Sequence, residues 1–136
     1  MGATVQAFPE RKPRALRILV VDDSRDAVLS AMMLLEDEGH EVRALYSGRD
    51  VVKVVQEFNP DAVLLDIALP GVSGWEVARE LREKLGRRHL LVGISGEYKH
   101  SVDRILSEAI GFDHYLVKPY DPNELLALLA PLSLRN

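Results

Sequence analysis

At 136 residues, with 47% hydrophobic and 28% charged residues and seven prolines, the chain has the size and composition of one globular domain with its own core, not of a disordered or collagen-like polymer. Cysteine is absent, which removes disulfides, thiolate metal sites and thiol nucleophiles and agrees with a reducing compartment. The formal charge of −4, with both signs interspersed along the helices, offers no long-range field for a polyanion, so nucleic acid is not expected as a direct partner. Charges interrupt every apolar run well short of the roughly twenty residues of a bilayer span, and Met1–Pro13 lacks the basic-then-apolar order of a secretory signal. A cytoplasmic protein without membrane insertion is therefore expected.

Residues 1–15 carry two prolines and no sustained period, and read as a flexible lead-in whose Arg11, Lys12, Arg14 and Arg17 form a solvated basic stretch with the start of the domain. Leu16 and Ile18–Val21 then form a β-rich run that stops at Asp22 and Asp23, as a buried parallel strand does. Ser24 can cap a helix in which Ala27, Val28, Ala31, Met32, Leu34 and Leu35 recur at helical spacing, and Gly39 stops it. The unit repeats: strand Val42–Tyr46 and helix Gly48–Phe58, strand Ala62–Leu65 and helix Gly74–Leu85, strand Leu90–Ile94 and a helix over 99–110, strand Asp113–Val117 and helix Pro122–Leu129. Strands alternating with helices predict an α/β fold: a doubly wound, five-stranded parallel sheet in the order 2-1-3-4-5, a (βα)5 three-layer sandwich of the flavodoxin-like kind. The domain is placed at 16–132, with 133–136 as a C-terminal tail.

In such a sheet, ligands sit beyond the carboxyl ends of the strands where the strand order reverses. Asp22 and Asp23 end the first strand, Asp66 the third, Ser95 the fourth and Lys118 the fifth, so all five share one rim. Taken singly, each has an ordinary explanation: an acid as a helix cap, Ser95-Gly96 as a turn, Lys118 as a surface residue before Pro119. Delivery of acids, a hydroxyl and an amine to one crevice by four strand ends is what sets them apart. Three gathered carboxylates repel one another unless a hard cation joins them, and an all-oxygen site that also leaves room for phosphate suits Mg²⁺. Zn²⁺ is disfavoured by the lack of cysteine and by the scatter of His40, His89, His100 and His114. Lys118 and the Ser95 hydroxyl can contact oxygens of a transferring phosphoryl group, and a carboxylate held in line can accept it.

The segments Ile18-Leu19-Val20-Val21-Asp22-Asp23, Leu64-Leu65-Asp66-Ile67-Ala68-Leu69-Pro70-Gly71, Gly74, Ile94-Ser95-Gly96 and Tyr115-Leu116-Val117-Lys118-Pro119 together resemble the receiver domain of the response regulator family of two-component signalling, over roughly Leu16 to Leu132. The resemblance implies that Asp66 is the phosphoacceptor, Asp23 a direct metal ligand, Asp22 an acid acting on the metal through water, and the Ala68 backbone carbonyl a third protein ligand. It implies Mg²⁺ as the cofactor, with Mn²⁺ as a substitute. Lys118 matches the phosphate-contacting lysine, the bond to Pro119 one that is typically cis, Ser95 the switch hydroxyl and Tyr115 the switch aromatic. Phosphorylation would draw Ser95 inward, let Tyr115 turn and remodel the face around Ser95, Tyr98, Ile105 and Tyr115. Leu69 stands where the family often has methionine, and Ser95 where threonine is commoner, so the hydroxyl is kept and a methyl lost.

The expected function is a phosphorylation switch fed by a histidine kinase or a histidine phosphotransfer protein, with autodephosphorylation, an unknown downstream protein partner and homodimerisation left open. An aspartyl phosphohydrolase would commonly carry Asp-x-Asp, whereas Ala68 stands two residues after Asp66; a phosphorylation-independent interaction domain would commonly lose an acid or the lysine. Three residues after Ser133 leave no room for an effector domain, so a stand-alone regulator or a segment of a larger protein is expected. Gly111-Phe112-Asp113-His114-Tyr115 and Asp121-Pro122-Asn123-Glu124-Leu125 resemble receivers appended to hybrid histidine kinases. Trp75, beside Gly74, is read as partly buried packing.

Overall fold

The computed structural model describes residues 13–96 and 111–134. The expected helix over 99–110, with His100 and Ile105 in it, and Tyr98 just before it lie outside the described residues. Along the described chain run β1 (Arg17–Val21), α1 (Arg25–Asp37), β2 (Glu41–Leu45), α2 (Val51–Phe58), β3 (Ala62–Asp66), α3 (Gly74–Leu85), β4 (Leu90–Ser95), β5 (His114–Val117) and a final helix, here α4 (Pro122–Ser133). The strands form one parallel sheet in the order β2-β1-β3-β4-β5, as the alternation of elements predicts.

Period-two alternation divides the strand residues between two cores. Ile18, Val20, Leu64, Val92, Ile94 and Leu116 pack with Val28, Ala31 and Leu35 of α1 and Leu125 and Leu129 of α4. Leu19, Val21, Val63, Leu65 and Leu91 pack on the other face with Val51 and Val55 of α2 and Val77, Ala78 and Leu81 of α3. Every residue of β3 is buried, as the central strand of a sheet covered on both sides must be.

The helix starts carry local signals. Ser24 accepts from the Ala27 amide, Ser73 from the Glu76 amide and Asp121 from the Asn123 amide. The strand ends fall within one residue of expectation, and two helix boundaries differ by more. α2 begins at Val51, not Gly48, because Asp50 is left-handed (φ 61°) and ends a turn before the helix. α4 continues past Leu129 to Ser133 with Pro131 inside its last turn. Among the described residues no helix is long and apolar enough to cross a membrane.

Candidate phosphoacceptor site

Parallel packing sets the ends of β1, β3, β4 and β5 side by side. Val21 pairs with Leu65, Asp66 with Ile94, and Ser95 with Val117, so the residues at or just past these ends meet at the rim. Asp22 and Asp66 are buried, at 4% and 5% exposure, whereas Asp23 is open to solvent. Each of the three offers a carboxylate oxygen within 4.8 Å of the others.

The buried acids are held from both sides. Ser24 donates its amide to Asp22 Oδ1 (2.9 Å) and Ala68 donates its amide to Asp66 Oδ1 (2.9 Å). Lys118 Nζ donates to Asp22 Oδ2 at 2.8 Å and reaches Asp66 Oδ2 at 3.4 Å. Burial, together with the neighbouring Asp22 charge, raises the Asp66 pKa above the ordinary carboxylate value, although the Ala68 amide and Lys118 pull it down. For Lys118, burial works against the charged form, but the bond to Asp22 and the charges of Asp66 and Asp22 outweigh it and leave the pKa raised. The ammonium is therefore a fixed positive charge bridging two carboxylates.

The remaining residues singled out in the sequence occupy definite places. Ser95 is the last residue of β4, half-buried, and its carbonyl accepts the Lys118 amide at 2.7 Å. The Lys118–Pro119 peptide bond is cis. Tyr115 lies opposite Gly93 in the ladder, and its ring covers that glycine: a Cβ there would stand 2.7 Å from Cε1. The same ring is 5.1 Å from Phe112. Gly74 is pressed against the acceptor backbone, where a Cβ would stand 2.6 Å from Ile67 Cα and closer still to the Asp66 carbonyl oxygen. His40 and His89 do structural work at the opposite, amino ends of the strands: His40 Nδ1 accepts the Leu16 amide (3.0 Å), and His89 Nδ1 is 2.6 Å from the Pro60 carbonyl.

Sequence reading passed over Arg82. Its side chain, 11% exposed, donates through Nε and Nη2 to the Gly111 carbonyl (2.8 and 2.6 Å), through Nη1 to the His89 carbonyl (2.9 Å), and through Nη2 to Asp113 Oδ2 (2.7 Å). The partners are mostly main-chain carbonyls, which leave no sequence signature.

The chain is thus a doubly wound parallel α/β domain whose switch-point rim gathers three aspartates, able to coordinate a divalent cation, and a lysine. The chain is a member of the response regulator receiver domain family, whose pattern matches residues 18–130; it is a CheY-like receiver. The chemotaxis protein CheY4 of Vibrio cholerae is 26% identical with a TM-score of 0.77, over 85% of this chain and 96% of that one. A CheY-like receiver domain protein of Methanospirillum hungatei JF-1 is 27% identical with a TM-score of 0.79, over 87% and 93%. The BeF3-activated N-terminal receiver domain of Klebsiella pneumoniae RstA is 30% identical with a TM-score of 0.78, over 88% and 99%. The Asp22, Asp23 and Asp66 cluster is of the kind that serves receivers as a phosphoaspartate site and can coordinate a divalent cation.

Proposed function

We propose that this domain is a phosphorylation switch in which Asp66 takes a phosphoryl group from a phosphohistidine on a histidine kinase or histidine phosphotransfer protein. The observation that carries the reading is the Lys118 ammonium reaching both Asp22 and Asp66 within a cluster of three carboxylates. An Asp66 carboxylate oxygen attacks phosphorus, the P–N bond to imidazole breaks, and an acyl phosphate remains on Asp66. The Ala68 amide holds Oδ1 of the nucleophile. Lys118 is drawn to the added phosphoryl charge and the Ser95 hydroxyl donates to one of its oxygens.

The donor set fits Mg²⁺: it is all oxygen and combines buried acids with one exposed to water. Asp23, Asp66 and the Ala68 carbonyl would hold the ion directly and Asp22 through water, with Mn²⁺ as a substitute. Bound there, it would neutralise charge developing on the phosphoryl oxygens. Hydrolysis of the acyl phosphate would return Asp66 to its free form, making the domain a regulatory phosphoacceptor first and a catalyst only of its own phosphorylation cycle. Its setting would be the cytoplasm.

The test is Asp66→Asn, nearly isosteric but a far poorer nucleophile. Incubated with Mg²⁺ and phosphoramidate, whose P–N bond stands in for phosphohistidine, wild type gains one phosphoryl mass and the variant none. A variant that still takes up the label on another side chain overturns the assignment.

A further inference from the structure

Two contacts tie α3 to the turn at 111–113, immediately before β5. Trp75, in the first turn of α3, meets the Phe112 ring edge-on at a centroid distance of 5.9 Å. Seven residues on, about two helical turns and therefore on the same face, Arg82 grips the Gly111 carbonyl and Asp113 Oδ2. Asp113 is itself locked to β4, donating its amide to the Leu91 carbonyl and accepting the Leu91 amide, both at 2.8 Å. At its N-terminal end, beside Trp75, α3 is pinned to the acceptor strand. Gly74 sits against Asp66 and Ile67 too closely for any side chain, and its amide donates to the Ile67 carbonyl at 3.0 Å.

We infer that α3 is a lever, with Trp75 and Arg82 as positioning residues, that carries the phosphorylation state of Asp66 to the 111–113 turn and through Phe112 to Tyr115 without using the Ser95 hydroxyl. The inference rests on the phosphoacceptor reading of Asp66. Loading Asp66 alters the charge beside the Ala68 amide that grips it, and so repositions the β3–α3 connection to which Gly74 is pinned. A packed helix answers by moving as a body. Its motion reaches residue 112 through the indole and residues 111 and 113 through the guanidinium. Phe112 packs 5.1 Å from Tyr115, so re-aiming the first ring changes the space open to the second.

The experiment compares wild type, Trp75→Leu, Arg82→Met and Arg82→Lys, each with and without Ser95→Ala, by amide and aromatic NMR before and after saturation with Mg²⁺ and beryllofluoride. Intact mass after phosphoramidate treatment is measured in parallel. Phosphoryl uptake stays at wild-type level in the Trp75 and Arg82 single variants, and the Ser95→Ala forms are compared only after full loading. The shifts at Gly111 and Phe112 persist in Ser95→Ala while that of Tyr115 weakens without being lost; all three fall by about half or more in Trp75→Leu and Arg82→Met, are partly recovered in Arg82→Lys, and vanish when either lever variant is joined to Ser95→Ala. If Arg82→Met does not fold, Trp75→Leu, which leaves no buried carbonyl unpaired, decides alone. Lever variants responding as wild type does, or a phosphorylated wild type with no shifts at 111–115, overturn the lever and leave Asp66 as acceptor. Absence of uptake by wild type overturns the phosphoacceptor reading and the lever with it.

Discussion

Asp22 and Asp23 are neighbours in sequence with different surroundings. Asp23 is exposed, whereas Asp22 is buried and holds Lys118 at 2.8 Å. Asp23→Ala is expected to weaken Mg²⁺ binding by at least about tenfold, and Asp22→Ala, losing a water-mediated partner, by less. Calorimetric titration of both variants checks this, and equal affinities in wild type and Asp23→Ala would refute the metal assignment. Ser95→Ala is expected to keep phosphoryl uptake and to weaken the response of the Tyr115 ring, read by aromatic NMR with beryllofluoride. Without a methyl, serine constrains its rotamer less than threonine does, so the unphosphorylated protein is expected to visit the active arrangement, as a minor state in the same spectra without beryllofluoride. The positions of the rim acids, Ser95 and Lys118 were legible because each stands at or just past a strand end, and strand ends can be counted from sequence. Arg82 was not. Its acceptors at Gly111 and Asp113 lie 29 and 31 positions away, and only the folded chain brings them to its guanidinium.

At the scale of elements, the joint between β3 and α3 is closed by Gly74, which makes the closest backbone approach of the described glycines. Gly74→Ala would drive a methyl into the Asp66 carbonyl and the Ile67 Cα, and overpacking against backbone of this kind costs about 1–3 kcal/mol. Chemical denaturation should show the loss, accompanied by slower phosphoryl uptake because the acceptor strand end must move. A variant as stable as wild type would mean that the joint yields freely, contrary to the close approach described. The strands and most helices were readable because runs of β-branched residues and helical spacing of apolar ones report burial directly. The start of α2 was not, since nothing in Ser47-Gly48-Arg49-Asp50 announces a left-handed Asp50. Nor was the end of α4, where Pro131 suggests a stop but sits where the ring is accommodated in the last turn.

Across the whole molecule, stability should depend on pH through a group remote from the rim. Burial depresses the His40 pKa below its ordinary 6.5, against the pull of Glu38 and Asp61, and its Nδ1 must stay unprotonated to accept the Leu16 amide. A depressed folded-state pKa means that the unfolded chain binds the proton more readily. The contribution is therefore full above pH 6.5 and is lost as pH falls from there through the folded value. Asp61, held below its ordinary 3.8 by Arg14 and Arg17 despite burial, loses its contribution only in more acid solution. Asp66 is raised and acts with the opposite sign. Denaturation of wild type and His40→Asn at pH 7.5 and 5.5 isolates the imidazole: wild type should lose more stability on acidification, and parallel losses would exclude His40 as the cause.

The clasp at the far pole has a mechanical consequence. Arg14 donates its amide to the Ser133 carbonyl (2.8 Å), the Ser133 hydroxyl donates to the Arg14 carbonyl (2.6 Å), and the Arg14 guanidinium pairs with Asp61 at 2.8 Å. Tension entering near residue 13 and leaving near residue 134 would run across these few bonds and bypass the sheet. The clasp would part before any strand felt the load, so the acidic rim at the other end would keep its geometry under pulling forces that had already separated the two ends.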